Sequence, residues 1–219
     1  MDLIVMLTYN DQTIENAIEV FDSAKDLDVP CWGFKNIGLP VPQMKELVNN
    51  MKAAGKTTFL ECVSYDEPNC MAAAKLAVEC GFDCFMGTLY HPSVGEYVKG
   101  KIQYYPFAGH VWANPSILGD DIDGIIADGK RLKALGADGV DLLAYRFVGD
   151  AEELIRRFTK EVDLPTCIAG SIDTFARLDF MEEIQPATFT MGSALFNKKF
   201  VADGSFRENL KAVADYLKK

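Results

Sequence analysis

Short apolar runs and amphipathic segments alternate along the chain from one end to the other. Residues 3–9 (LIVMLTY) are typical of a buried strand, and residues 13–26 carry apolar side chains at helical spacing. The same succession then recurs, so the pattern predicts eight strands, at residues 3–9, 29–35, 57–63, 82–90, 102–109, 139–145, 165–170 and 187–192.

An amphipathic segment follows each apolar run, which predicts eight helices, at residues 13–26, 42–56, 69–81, 93–99, 122–135, 151–162, 174–184 and 205–219. Strands that alternate with helices pair in parallel through right-handed crossovers. Eight such units in 219 residues predict a single (β/α)8 TIM barrel that occupies residues 1–219 as one domain. The alternative is an open doubly wound sheet, but the first strand ends in TYND and lacks the GxGxxG turn often found there.

Composition and charge narrow the class of protein further. A formal net charge of −10 argues against a nucleic-acid groove, which needs a basic stripe. No segment approaches the roughly 20 apolar residues of a membrane span, and we predict no signal peptide. The six cysteines include no CxxC pair, so we expect buried, reduced thiols and a cytoplasmic protein.

The seventh and eighth predicted strands both end in a Gly-Ser pair. Gly170 and Gly192 allow the backbone to approach a ligand, and we expect Ser171 and Ser193 to begin helices whose first N–H groups point at an anion. A phosphate site after strands seven and eight is usual in a barrel, so these four residues are the predicted phosphate-binding set. The alternative is that each serine is an ordinary helix N-cap.

The segments AGSID and MGSALF resemble the phosphate-binding pair of the ribulose-phosphate-binding (β/α)8 barrel superfamily. That group includes phosphoribosyl isomerases, hexulose-phosphate and keto-gulonate-phosphate enzymes, and prenyl-glyceryl-phosphate synthases. The resemblance implies a phosphorylated ligand. It does not extend to the chemistry, because the third strand reads ECVSYDE where the decarboxylase branch has DxKxxD. Asn10-Asp11 also only loosely matches the acid or cysteine of the isomerases.

Charged residues at strand ends are the candidates for chemistry, because a charge inside a barrel is costly unless it is paired or used. Lys35 ends the second strand and Glu61 lies at equivalent depth on the third, so we expect their side chains to meet. We predict that Glu61 is a general acid or base. Three roles stay open for Lys35: a member of a structural ion pair, a base, or a Schiff-base former.

Further candidates follow other strands. Asp141, in the sixth strand, is either catalytic, a buried partner of Lys35 or an acceptor for backbone groups. His110 is a candidate for proton transfer, and it lies in a long loop that we expect to fold over the site as a lid. Asn10 and Arg146 are predicted to contact the substrate. No motif indicates a metal or a cofactor.

These features predict an enzyme that acts on a small phosphorylated metabolite, with a sugar phosphate as the favoured class, by proton transfer next to a carbonyl. Isomerase or epimerase chemistry is favoured over a carbon–carbon lyase. The alternative is a non-catalytic sensor that resembles the glycerol-3-phosphate-responsive antiterminators. Those proteins bind RNA, so the negative charge weighs against it. We expect no nucleic acid or membrane partner, and a homodimer stays open.

Overall fold

A computed structural model describes residues 1–218 and has the alternating order of strands and helices that the pattern predicts. Eight parallel strands form the wall: β1 Asp2–Met6, β2 Cys31–Lys35, β3 Thr57–Cys62, β4 Cys84–Gly87, β5 Gln103–Tyr105, β6 Val140–Leu142, β7 Thr166–Ile168 and β8 Thr188–Met191. The α-helices of this part of the chain are α1 Ala17–Ala24, α2 Val41–Ala53, α3 Glu67–Cys80, α4 Pro92–Val98, α5 Ile122–Ala134, α6 Ala151–Glu161, α7 Phe175–Ile184, α8 Ser193–Phe196 and α9 Phe206–Tyr216. Between residues 1 and 218, none of these helices has the length and apolar character to cross a membrane.

The strands pair side by side in the order β6, β7, β8, β1, β2, β3, β4, β5. The two outer strands meet through one parallel bridge between Phe107 and Asp141, beside which the Asp141 N–H donates to the Pro106 carbonyl at 3.0 Å. The ring is therefore nearly closed, and the predicted (β/α)8 barrel is confirmed. All eight strands run in the same direction, so their carboxyl ends share one rim.

Alternate strand residues fill the interior of the ring, since successive side chains of a strand point to opposite faces. One apolar cluster occupies the interior, and a larger one lies between strands and helices. The interior cluster consists of Ile4, Met6, Cys31, Phe59, Cys84, Met86, Tyr105 and Cys167. All six cysteines are free and buried, which confirms the expected role of the thiols as small core groups.

Helix boundaries follow local sequence signals. The Asp66 carboxylate accepts a hydrogen bond from the Asn69 N–H at the start of α3, and Gly81, with φ at 80°, ends that helix. At the start of α9, Ser205 and Glu208 form a capping box. These signals place the helices within a few residues of the predicted bounds, with the exception of α1.

The first strand–helix unit differs from the prediction. Strand β1 ends at Met6, and Thr8–Tyr9 pairs with Gln12–Thr13 as a small antiparallel hairpin, so α1 begins four residues later than predicted, at Ala17. The turn of this hairpin places Asn10 and Asp11 at positive φ, a conformation that Asn and Asp tolerate better than most residues.

The fifth strand is also shorter than predicted. It ends at Tyr105 because Pro106 has no N–H to donate to a neighbouring strand. Beyond it, His110–Trp112 and Ile117–Gly119 pair as an antiparallel hairpin, which we call the rim hairpin (residues 110–119). This is the segment that the sequence predicted as a loop over the site.

Candidate functional site

A cavity of about 230 Å³ lies at the rim formed by the carboxyl ends of the strands. It is lined by residues from seven parts of the fold: Met6, Thr8, Asp11, Lys35, Glu61, Ser116, Leu143, Arg146, Ala169, Gly170, Ser171, Ile172, Asp173, Thr190, Met191, Gly192, Ser193, Ala194, Asn197 and Lys199. Seven of the ten predicted site residues are therefore brought together here. Asn10, His110 and Asp141 are not among them.

The two Gly-Ser turns meet at this cavity. A Cβ at Gly170 would lie 2.9 Å from Cγ of Arg146, and a Cβ at Gly192 would lie 2.8 Å from Oγ1 of Thr8. Both distances are too short for a real Cβ, so the close approach requires glycine. In residues 1–218, no acceptor takes a hydrogen bond from the backbone N–H groups of Gly170, Ser171 or Gly192. Unpaired N–H groups on residues that line a cavity suit an anionic ligand.

The two serines differ in their relation to the helices. Helix α7 begins at Phe175, and its N-cap is Thr174, whose hydroxyl accepts a hydrogen bond from the Arg177 N–H at 3.3 Å. The expectation that Ser171 begins a helix is therefore wrong: it lies in the preceding loop with φ at 52°. Ser193 is the first residue of the short helix α8, where Gly192 holds the N-cap position. Neither serine is an ordinary N-cap.

Lys35 and Glu61 stand opposite each other in the β2–β3 register, as the sequence predicted. Nζ of Lys35 lies 3.9 Å from Oε1 of Glu61 and 2.9 Å from Oδ1 of Asp11. Asp11 is thus the hydrogen-bonded partner of Lys35, while Glu61 makes only a longer ionic contact. Within the described chain the Glu61 carboxylate accepts no hydrogen bond, so both its oxygens are available to a ligand.

The surroundings of Lys35 keep it charged. Burial lowers the pKa of Lys35, but the negative charge of Glu61 and the contact with Asp11 outweigh burial, so the net pKa of Lys35 is raised. At neutral pH the side chain is an ammonium, which has no lone pair for a base or for attack on a carbonyl. Of the three roles that the sequence left open, the geometry favours the ion-pair partner. A fixed ammonium also stabilises negative charge on a ligand oxygen.

Asp141 is completely buried behind the cavity, and in the described residues neither of its carboxyl oxygens has a hydrogen-bond partner. Burial and then the charge of Glu61 raise the pKa of Asp141 well above its usual range, with Lys35 acting in the opposite direction. These surroundings therefore favour the protonated form of Asp141. Neither structural role that the sequence suggested, an ion pair with Lys35 or an acceptor for backbone N–H groups, is observed.

Two other predicted residues lie away from the cavity. His110 is exposed on the rim hairpin, where its ring lies 4.9 Å from that of Trp112. Asn10 is exposed in the turn of the first hairpin, and the next residue, Asp11, faces the cavity in its place. The reason is local, because successive residues of a tight turn point their side chains to different sides.

Arg146 is the arginine whose charge is available to a ligand. The chain has six arginines, and the other five form ion pairs with carboxylates: Arg131, Arg156, Arg157, Arg177 and Arg207. In residues 1–218 Arg146 has no carboxylate partner, and its Nη1 donates only a 3.4 Å hydrogen bond to the Ser116 carbonyl. Its stem packs beside Gly170, so its charge lies next to the first Gly-Ser turn.

Sequence reasoning missed several residues of the lining, Asp11, Ser116 and Lys199 among them. A partial signal exists for Lys199, because MGSALF is followed at once by Asn-Lys-Lys in the loop after α8. Asp11 has only the loose match of Asn10-Asp11 to the acid of the isomerases, and Ser116 has no signal. Hairpins that fold back over the rim bring both of them to the cavity.

No protein-family model matches this chain, and no curated protein matches its sequence. The fold is similar to several solved structures. Orotidine 5'-phosphate decarboxylase from Pyrococcus horikoshii OT3 has a TM-score of 0.72 and 15% identity over 99% of each chain. 3-Hexulose-6-phosphate synthase from Salmonella typhimurium has a TM-score of 0.69 and 18% identity, over 100% of this chain and 99% of the synthase chain. A glycerol uptake operon antiterminator regulatory protein from Listeria monocytogenes has a TM-score of 0.60 and 16% identity, over 88% of this chain and 92% of the regulatory protein.

Most of these similar structures are enzymes with a phosphorylated compound in their names, and they include isomerases and an epimerase. The antiterminator regulatory protein is also among them. Identities of 18% and below establish the fold alone. The likeness extends over nearly the whole chain, whereas the motif resemblance came from its last quarter. The chain shares the (β/α)8 barrel fold with these solved structures, which agrees with the fold that the resemblance of AGSID and MGSALF implied.

Proposed function

We propose that the protein is an enzyme that binds a small phosphorylated metabolite, a sugar phosphate, in the rim cavity and moves a proton next to its carbonyl. One observation carries the proposal. A carboxylate without hydrogen bonds, Glu61, stands beside a fixed ammonium, Lys35, in the same cavity as two turns with unpaired N–H groups. Solved structures with this fold act on phosphorylated compounds, which supports the ligand class.

The phosphate group would be held at Gly170, Ser171, Gly192 and Ser193. Backbone N–H groups and serine hydroxyls supply hydrogen-bond donors to a dianion, and Arg146 and Lys199 supply positive charge. Such a grip fixes one end of the substrate, and this restricts where its carbonyl carbon lies in the cavity.

The reaction would begin when Glu61 takes the proton from the carbon next to the carbonyl. The electron pair of that C–H bond forms a C=C bond to the carbonyl carbon, and the π pair of the carbonyl moves onto its oxygen. The resulting enediolate carries a negative charge that the Lys35 ammonium stabilises. Return of the proton to the neighbouring carbon, or to the other face of the same carbon, gives an isomerase or an epimerase. Formation of the same intermediate by cleavage of a carbon–carbon bond gives a lyase. We favour isomerase or epimerase chemistry.

A panel of sugar phosphates and their unphosphorylated counterparts, followed by thermal unfolding, tests the ligand class. A ligand at 100 times its Kd stabilises the native state by about 2.7 kcal/mol, which raises Tm. We expect this shift for phosphorylated compounds only. Equal shifts with unphosphorylated sugars, or no shift with any compound, would contradict the phosphate site.

Replacement of Glu61 by Gln tests the chemistry, because it removes the base and keeps the shape of the side chain. With a ligand that the wild-type protein turns over, we expect turnover to fall about 10²–10⁴-fold while the ligand-dependent rise in Tm is kept. Glu46→Gln, at an exposed position of α2, is the matched control and should leave both unchanged. Loss of binding with Glu61→Gln would instead assign Glu61 to positioning.

The second candidate function is a sensor of a phosphorylated metabolite, which the likeness to the antiterminator regulatory protein favours. Such a protein would bind the ligand in the same cavity without changing it. A ligand that raises Tm and is recovered unaltered after long incubation with the protein would support this candidate over the enzyme.

A further inference from the structure

Arg177, in the first turn of α7, contacts the first Gly-Ser turn, although it is not part of the cavity lining. Its Nη1 donates to the Ser171 carbonyl and, at 2.9 Å, to Oδ1 of Asp173. Its guanidinium also lies 4.4 Å from the centroid of the Tyr145 ring, a cation–π distance. The Arg177 guanidinium is thus held by the Ser171 carbonyl, the Asp173 carboxylate and the Tyr145 ring.

The contact with the Ser171 carbonyl determines where the next N–H points. The peptide bond between Ser171 and Ile172 is trans, and in a trans peptide the C=O and N–H groups point in opposite directions. Because the Ser171 carbonyl accepts a hydrogen bond from Arg177, the Ile172 N–H points away from Arg177. Ile172 lines the cavity, and its N–H donates to no acceptor in the described part of the chain.

The loop needs such a contact because Ser171 has φ at 52°, a region that residues with a Cβ rarely adopt. Without the hydrogen bond from Arg177 to the Ser171 carbonyl, the peptide between Ser171 and Ile172 could rotate toward a more common conformation. That rotation would swing the Ile172 N–H out of its present direction.

Arg177 also acts on the charge of the cavity. Asp173 lines the cavity with 30% of its side chain exposed, and a carboxylate there repels a phosphate group. The ion pair with Arg177 neutralises this carboxylate without bringing the arginine into the lining.

We propose that Arg177 is a positioning residue of the phosphate site, which aims the Ile172 N–H at the ligand and neutralises Asp173. This inference rests on the proposed function, because it assumes that a phosphate group binds at Gly170 and Ser171. Neither the motif nor the fold points to Arg177, which is one of five arginines in ion pairs.

The test uses inorganic phosphate as the probe and measures its Kd by titration, with Tm in the absence of phosphate as the readout of fold. Arg177→Met should raise the Kd for phosphate about tenfold. Arg177→Lys keeps the charge, but a single ammonium replaces the guanidinium that contacts both the Ser171 carbonyl and Asp173. We therefore expect the Kd for phosphate to rise about threefold. A merely structural role would lower Tm without changing the Kd of the molecules that stay folded.

Arg156→Met is the matched control. Arg156 likewise pairs with a carboxylate, that of Glu183, and lies over an aromatic ring, that of Phe180, at 4.7 Å. It does not line the cavity, so its replacement should leave the Kd for phosphate unchanged.

The outcomes separate the two proposals. Phosphate binding by the wild-type protein with an unchanged Kd in Arg177→Met overturns the role of Arg177 and leaves the phosphate site standing. No phosphate binding by the wild-type protein overturns the site and this inference with it. If Arg177→Met does not fold, Arg177→Lys decides: a wild-type Kd overturns the inference, and the threefold rise supports it.

Discussion

Glu61 and Asp141 lie near Lys35 at different depths of the barrel, and their surroundings differ. Glu61 lies in the cavity wall beside the ammonium, with part of its side chain exposed. Asp141 is enclosed, has no hydrogen-bond partner among the described residues and senses the negative charge of Glu61. Burial disfavours the charged form of an acid, so the pKa of Asp141 is raised, whereas Glu61 has an ammonium as its neighbour. A buried, unpaired carboxyl is a cost to folding that a core built only for stability would avoid.

Replacement of Asp141 by Asn should change how stability depends on pH. The folded-state pKa of Asp141 is raised, so the unfolded chain loses this proton near pH 4 while the folded chain keeps it. The stability that Asp141 contributes is complete below about pH 4 and declines as pH rises, by up to about 1.4 kcal/mol per pH unit, until the folded pKa is reached. The Asn variant lacks this decline, so it should gain stability relative to wild type as pH rises above about 4.

Urea unfolding at several pH values measures this difference. Asp203→Asn, at an exposed position near the start of α9, is the control, and its stability should follow that of the wild-type protein at every pH. Parallel curves for wild type and Asp141→Asn would show that Asp141 has an ordinary pKa in the fold.

Among the elements, the rim hairpin (residues 110–119) is the one that the strand–helix pattern does not contain. Hydrogen bonds from Tyr65 and Val148 tie it to the barrel, in addition to the long one from Arg146 to the Ser116 carbonyl. The Tyr65 hydroxyl donates to the Ala113 carbonyl at 2.8 Å and lies 2.7 Å from Oγ of Ser116, and the Val148 N–H donates to the Leu118 carbonyl at 3.1 Å. Through Ser116 the hairpin forms one part of the cavity wall.

Tyr65→Phe should loosen this hairpin without unfolding the barrel, because it removes only the hydroxyl that holds the tip. We expect the backbone amides of residues 110–119 to exchange with deuterium about tenfold faster. Hydrogen–deuterium exchange followed by mass spectrometry measures this. Tyr97→Phe is the control, since the Tyr97 ring contacts Lys101 through its face. Unchanged exchange in Tyr65→Phe would mean that the bonds at Val148 suffice to hold the hairpin.

The order of elements was predictable from the sequence because it depends on periodicity, which each segment carries by itself. The pairing of Lys35 with Glu61 was predictable for the same reason, since the two residues lie at equivalent depth in neighbouring strands. The partner of Lys35 was not, because Asp11 reaches it only through a hairpin whose turn has two residues at positive φ. Arg177 was missed because its function depends on the direction of one peptide group, which no spacing records.

At the scale of the whole molecule, the distribution of charge matters more than the net charge of −10. Five of the six arginines are paired with carboxylates, and the sixth, Arg146, lies in the cavity. The unpaired charge of the arginines therefore lies at the cavity and not on the outer surface. We expect a protein with this arrangement to bind a small anion in preference to RNA.

The protein should accordingly not bind RNA even at low ionic strength, where phosphate contacts are strongest. A filter-binding assay at about 50 mM salt, with structured and unstructured RNA, measures this. A strongly basic RNA-binding protein serves as the positive control. Binding that weakens steeply as salt is added would contradict this expectation and would favour the sensor over the enzyme.

The six buried, unpaired thiols have a practical consequence. Because each is at most 6% exposed in the folded chain, an alkylating reagent reacts with them slowly until the structure around them opens. The rate of labelling then reports how often the structure opens, and any metabolite that slows the labelling reveals itself as a ligand before its chemistry is known.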